Sequence, residues 1–241
     1  MKISGNKILI TGGASGIGLG LTNRFIAEGN TVIICGRRAD VLQEVAAKHP
    51  SVIIKQCDLS IAAEREALYH WISKEHNDTN VLVNNAGIQN WMNITDHDFY
   101  TRAKEEITIN IEAPIHLCSL FSQLKSINTI INVTSGLSFV PLTKVPVYSA
   151  TKAFFHSFTL SLRQLLKTKN IEVIEIIPPA LNTDLGGKGL HDFAPPVSEF
   201  IEAIVEQLKE GKLELAFGMS AGMIKAGPED LKNAFERMNT N

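Results

Sequence analysis

The 241-residue sequence predicts an α/β fold, a doubly wound parallel sheet of about seven strands with helices on both faces. Three observations carry this. Short apolar runs alternate with helix-period stretches, the order that parallel strands and right-handed crossovers require. Early runs such as Val32-Ile33-Ile34 are continuously apolar, as in strands buried on both faces. A glycine-rich turn, Gly12-Gly13-Ala14-Ser15-Gly16-Ile17-Gly18, joins the first run to the first helical pattern.

Lys7 to Ile10 is the first predicted strand. Ile17, Leu21 and Phe25 then recur at helical spacing, and Gly29-Asn30 stops that helix. Thr31 to Cys35 is the second strand, and Val41, Leu42 and Val45 mark a helix closing before Pro50. Val52 to Ile54 follows as the third strand, before a helix carrying Ala67, Leu68, Trp71 and Ile72. Val81-Leu82-Val83 is the fourth, and a helical region runs from about Asp98 to Phe121. Ile130 to Thr134 is the fifth strand, Val147 to Lys167 a long helix, and Ile171 to Ile177 the sixth strand. That last run alternates charged and apolar residues, which suits a strand nearer an edge. Val197 to Glu210 is helical and stops at Gly211; Leu213 to Phe217 is a final strand, and the rest reads as a polar tail. No repeat, linker or low-complexity segment divides the chain, so residues 1–241 read as a single domain. Gly186 to Pro196, rich in glycine and proline, reads as a loop over a substrate site, with 185–196 as its bounds.

Composition narrows the function classes. With 44% hydrophobic and 20% charged residues, the chain has the balance of an ordinary globular protein. The net charge is −2, and Arg37-Arg38 is the densest basic spot, so no nucleic-acid partner is expected. Cys35, Cys57 and Cys118 form no C-x-x-C pair, and they read as buried thiols in a reducing compartment. No metal site is expected. The N-terminus lacks a signal-peptide pattern, and no run of about 20 apolar residues occurs, so a cytoplasmic protein without a membrane partner is expected.

The glycine turn carries the first chemistry. Unpaired N–H groups at a helix N-terminus suit a pyrophosphate, and glycines let backbone approach it closely. Taken alone, the same turn serves equally as a tight strand-to-helix connection. Its spacing, Thr-Gly-x-x-x-Gly-x-Gly, resembles the cofactor turn of the short-chain dehydrogenase/reductase family. So do Asn84-Asn85-Ala86-Gly87 after the fourth strand, Ser135 after the fifth, and Tyr148-Ser149-Ala150-Thr151-Lys152. The likeness covers nearly the whole chain, in the right order. Glu112-Ala113-Pro114-Ile115-His116-Leu117, Asn132 to Leu137 and Asn182 to Gly187 look like the DltE-type oxidoreductases of Gram-positive bacteria. That subgroup name supplies no substrate.

The resemblance implies a Rossmann-type sheet and an oxidoreductase acting on a small carbonyl/alcohol substrate. Tyr148 and Lys152 share a helix face, and an ammonium nearby is expected to favour the phenolate. Tyr148 would be the general acid/base, Ser135 would hydrogen-bond the substrate oxygen, Lys152 would grip the nicotinamide ribose, and Asn110 would hold a water beside Lys152. Gly12, Ser15, Gly16, Ile17 and Gly18 would cradle the cofactor with Asn85, Ala86 and Gly87. Asp58 would contact the adenine or simply cap the next helix, and Thr183 would reach the carboxamide. Gly36 stands where the family's NAD-reading carboxylate would be, and Arg37, helped by Arg38, would hold a 2′-phosphate. NADP(H) is therefore expected, with NAD(H) second; an exposed, solvated arginine pair is the alternative. Pro179 replaces the glycine the family usually has, which stiffens that turn. Leu190, His191 and Phe193, with Leu137, Phe139, Val140 and Leu142, would wall the pocket or belong to the core; His191 reads as a surface histidine. Phe154, Phe158 and Leu162, beside Phe155, Leu165 and Leu166, make a wide apolar stripe that implies a homodimer or homotetramer. A non-catalytic NADP(H)-binding regulator on the same fold is the rival reading.

Overall fold

The computed structural model describes residues 1–240. Its strands are β1 (Lys7–Thr11), β2 (Thr31–Gly36), β3 (Ile53–Gln56), β4 (Val81–Asn84), β5 (Thr129–Val133), β6 (Glu172–Ile177) and β7 (Glu214–Ala216). All pair in parallel, in the order β3-β2-β1-β4-β5-β6-β7. Between them run α1 (Gly16–Ala27), α2 (Ala39–Lys48), α3 (Ala62–Glu75), α4 (Phe99–Ile107), α5 (Ala113–Phe121), α6 (Pro146–Leu166) and α7 (Val197–Lys209).

The continuous apolar runs explain the two-layered core. Successive strand residues point to opposite faces, so Ile8, Ile10, Val32, Ile34, Val81 and Val83 join one cluster with Leu21, Phe25, Phe200 and Ile204. Leu9, Ile33, Leu82 and Ile130 join the other, with Leu68, Leu117, Phe121 and Leu162. Each such buried side chain contributes about 1.5–3 kcal/mol by leaving water.

β6 lies next to the edge, between β5 and the edge strand β7. Its charges divide: Glu172 stays half-exposed, whereas Glu175 is fully buried, its carboxylate taken up by Thr134 Oγ1 (2.7 Å) and His156 Nδ1 (2.8 Å). Two expectations change. The polar tail is helical: α8 (Met219–Met223) and α9 (Pro228–Asn239) follow β7. Pro228 at the first turn, with Glu229 and Asp230 beside it, is a helix-start signal. Asn239 ties this tail to the Pro141 carbonyl and the Thr143 N–H. The helical region 98–121 is also interrupted, by a widened π-turn at Thr108–Glu112. The three cysteines are free and buried, and burial pushes their thiols up.

Candidate active site

β1 and β4 are neighbours, and the sheet grows outward from them in opposite directions. That reversal opens a crevice at their C-terminal ends, where ligands bind in open α/β sheets.

The glycine turn lies at this point. Gly12 takes φ +64°, and its N–H donates to the Cys35 carbonyl at 2.8 Å. Ser15 sits exposed at the N-cap of α1, and its hydroxyl caps nothing, so the first-turn N–H groups have no side-chain partner from it. Gly18 lets the helix start against the strand end: a Cβ there would lie 2.2 Å from the Gly12 carbonyl oxygen. Gly16 packs under Thr183, whose Cγ2 lies 3.5 Å from the corresponding Cβ position. Ile17 packs half-buried against the core.

Thr11 binds the turn to the segment after β4. Its hydroxyl donates to the Val83 carbonyl and accepts the N–H of Asn85 (3.0 Å) and Ala86 (3.1 Å). Asn85 Nδ2 returns to the Thr11 carbonyl at 2.9 Å. Gly87 then faces the catalytic candidates, since a Cβ there would lie 3.3 Å from Asn110 Oδ1 and 3.7 Å from Lys152 Nζ.

Asn110 occupies the π-turn, a device common at functional sites. Its side chain brackets Ile88, accepting its N–H and donating to its carbonyl, both at 2.9 Å, and also donates to Thr151. Ser135 leaves β5 at the start of a short turn, and its hydroxyl accepts the Leu137 N–H. Tyr148 and Lys152 project from α6, both buried. Below them Asn84 Nδ2 donates to Asn132 Oδ1, and Asn132 Nδ2 donates to Thr159, fastening β4, β5 and α6 together.

Burial dominates the electrostatics of the α6 pair. Lys152 Nζ donates to the Val133 carbonyl at 2.8 Å and lies 5.6 Å from the Tyr148 ring centre. Burial pushes the phenol above its ordinary value; the Ser135 hydroxyl opposes this and the Glu106 charge adds to it. Burial also lowers Lys152 to about 8.

At the outer end, Arg37 and Arg38 are exposed. Arg37, Gln56, Asp58, Ile61 and Glu64 line a cleft of about 410 Å³. Asp58 does not cap α3; it accepts the Ser60 N–H and hydroxyl. Burial raises its carboxyl, but the Ser60 hydrogen bonds and the Arg37 charge prevail and hold it low. Glu64 is turned inward, accepting the Asp58 N–H.

The 185–196 loop is pinched at its base, where the Asn182 N–H donates to the Pro195 carbonyl. Phe193 is 82% exposed, whereas Val140 is fully buried core. Leu137, Phe139 and Leu142 are half-buried, and Phe139 lies against His156. His191 is not a surface histidine: both its ring nitrogens are buried and have no partner among the described residues. The sequence reading missed Glu106, Gln89, His156 and Glu175. Two spacings could have found two of them: Glu106 is one turn before Asn110, and His156 is one turn after Lys152.

No helix among the described residues is long and apolar enough to cross a membrane. The family model described as short chain dehydrogenase matches residues 6–192. The uncharacterized oxidoreductase DltE of Bacillus subtilis is 42% identical, covering 100% of this chain and 99% of its own. Serine 3-dehydrogenase of Rhizobium radiobacter is 31% identical over 73% of this chain and 72% of its own. Among solved structures, a short chain dehydrogenase from Burkholderia cenocepacia in complex with NADP superposes with a TM-score of 0.87 at 26% identity, covering 100% of both chains. A family match over most of the chain and a relative similar along its full length lead to one assignment: the chain is an oxidoreductase belonging to the short-chain dehydrogenase family.

Proposed function

We propose that the protein moves a hydride between NADP(H) and a carbonyl/alcohol substrate, with Tyr148 as general acid/base. The observation that carries this is the meeting of Gly87, Asn110 and Lys152 beside buried Tyr148 at the switch point of the sheet. The residues present fit a dinucleotide. Gly12, Ser15, Gly16, Ile17 and Gly18 form a cradle whose close approach a Cβ at position 18 would fill. Asn85 and Ala86 brace it. Arg37 and Arg38, with Gly36 where a carboxylate would repel a 2′-phosphate, favour NADP(H) over NAD(H). The NADP complex of the Burkholderia relative supports that choice. Asp58 borders the adenine end, and Thr183 lies over the turn where a carboxamide would sit.

The nicotinamide, when bound, supplies or accepts the hydride. In the reducing direction Tyr148 gives its proton to the carbonyl oxygen as the hydride reaches the carbon; in oxidation it takes the alcohol proton. Ser135 holds the substrate oxygen, Lys152 orients the ribose, and Asn110 organises the proton path beside Lys152. Residues 185–196 close over the substrate. Of the expected α6 stripe, Phe155, Leu162 and Leu166 are buried core and Phe158 packs against it; the exposed Phe154 and Leu165, with Leu160 on the same helix and Tyr100 and Ile107 on α4, fit a homodimer or homotetramer contact. A monomer by light scattering at micromolar concentration refutes that contact.

The test is titration calorimetry with NADPH and NADH, then a carbonyl panel followed at the nicotinamide absorbance. NADPH should bind more tightly than NADH. Tyr148→Phe should lose roughly 10²–10⁴-fold in turnover with the fold intact. Unchanged turnover in that variant overturns the role of Tyr148, and binding of neither nucleotide overturns the whole reading.

A further inference from the structure

Three side chains one turn apart, Arg102, Glu106 and Asn110, form a single row along α4 and the π-turn that continues it. They grip consecutive stretches of the chain leaving β4. Asn110 brackets both polar groups of the Ile88 peptide unit. Glu106 Oε1 accepts the Asn90 N–H at 2.5 Å, and Arg102 Nη1 donates to the Trp91 carbonyl at 2.9 Å. Gln89, between the outer two contacts, turns the other way: its Oε1 lies 2.9 Å from where a Cβ on Gly186 would be, in the 185–196 loop. One face of α4 thus straps down the segment that touches Lys152 at Gly87 and the loop at Gly186.

Glu106 is the central rung, and it is an expensive residue to place there. It is 0% exposed, and its Oε2 has no partner among the described residues. A buried carboxylate without a full set of partners is costly, and such a group calls for a functional explanation. We infer that Glu106 is a positioning residue of the active site: it holds the 88–91 strap in place. This rests on the reductase reading for its role in turnover, but the strap itself does not.

The charges acting on Glu106 are few. Arg102 faces it from its own helix, though its guanidinium is shared with Asp96 and Asp98. From α6 only Tyr148 is coupled to the Glu106 charge, and Asn90 supplies a neutral donor, its N–H, from the strap. Burial dominates and raises the Glu106 carboxyl to about 7, against the Asn90 N–H and the Arg102 charge.

Two variants separate the strap from the charge. Glu106→Gln keeps an acceptor for Asn90 and removes the charge; Glu106→Ala removes both. In Glu106→Ala, hydrogen exchange at the Asn90 amide should rise roughly 10- to 100-fold, the scale of one lost charged hydrogen bond. In Glu106→Gln that exchange should stay close to wild type. With a carbonyl substrate in hand, wild-type turnover should show an ionisation near pH 7 that Glu106→Gln lacks. Unchanged Asn90 exchange in Glu106→Ala, or a rise in Glu106→Gln as large as that in Glu106→Ala, overturns the inference. If Glu106→Ala does not fold, Glu106→Met, which fills the space without an acceptor for the Asn90 N–H, takes its place with the same expected rise. A wild type that reduces no carbonyl removes the reductase reading and leaves the exchange results to judge the strap.

Discussion

Replacing Gly18 by alanine sets helix propensity against a backbone collision. The added Cβ would stand 2.2 Å from the Gly12 carbonyl oxygen and 2.5 Å from Asn85 Nδ2, about 1 Å inside the roughly 3.5 Å of normal contact. Neither neighbour can swing aside. Gly12 belongs to the turn itself, and Asn85 Nδ2 is bonded to the Thr11 carbonyl at 2.9 Å. The helix start must therefore lift from β1, at about 1–3 kcal/mol for overpacking, with about 0.5–1.5 kcal/mol more if the Asn85 bond breaks. Alanine returns at most about 1 kcal/mol of helix propensity. A net loss of about 2 kcal/mol should lower the melting temperature by roughly 4–8 °C for a chain of this size. Because the same displacement opens the phosphate cradle, NADPH affinity should fall at least about tenfold, the equivalent of about 1.4 kcal/mol. Gly222→Ala is the control. It lies in α8, and a Cβ there would meet nothing within 4 Å. Thermal melts and NADPH titrations of both variants decide the matter. Gly18→Ala with wild-type melting and wild-type NADPH affinity would refute the close-approach argument.

Two further outcomes follow from the geometry. Arg37→Ala should weaken NADPH roughly 10- to 150-fold while barely changing NADH, because only the 2′-phosphate uses the guanidinium; equal losses for both nucleotides in calorimetry would remove Arg37 from that role. His156→Ala should destabilise by about 1–3 kcal/mol, since it strips a partner from fully buried Glu175. The sign with pH is set by His156 itself. Its hydrogen bond to Glu175 leads the causes and raises its folded value above the ordinary 6.5, so the stabilisation is complete below that value and fades as pH rises through the folded one. Urea unfolding at about pH 6 and about pH 9 should show the larger wild-type advantage at the lower pH; a larger advantage at the higher pH would contradict the pairing.

Much of the site was legible because its chemistry lies in short, local spacings. Tyr148 and Lys152 are four residues apart on one helix, and the glycines occupy one turn. What escaped was non-local. Glu106 reads as one more charged residue in Lys104-Glu105-Glu106, because nothing in the helix reveals that Asn90 docks onto it. His191 reads as surface for the same reason. The Tyr148–Lys152 spacing puts both side chains on one face of α6, but the burial that pushes the phenol up comes from residues distant in sequence.

The sequence by itself determined the periodicities, and through them the alternation of strands and helices, the two-sided burial of the central strands and the residues available at the strand ends. Those properties depend on neighbours within a turn or two of the chain. Only the tertiary structure decided that β1 pairs with β4 and so opens the crevice, that Glu175 goes inward to Thr134 and His156, and that α9 returns Asn239 to the loop before α6. Strand order, burial of charge and desolvation arise from contacts between residues far apart in sequence, whose strength depends on the water each contact excludes.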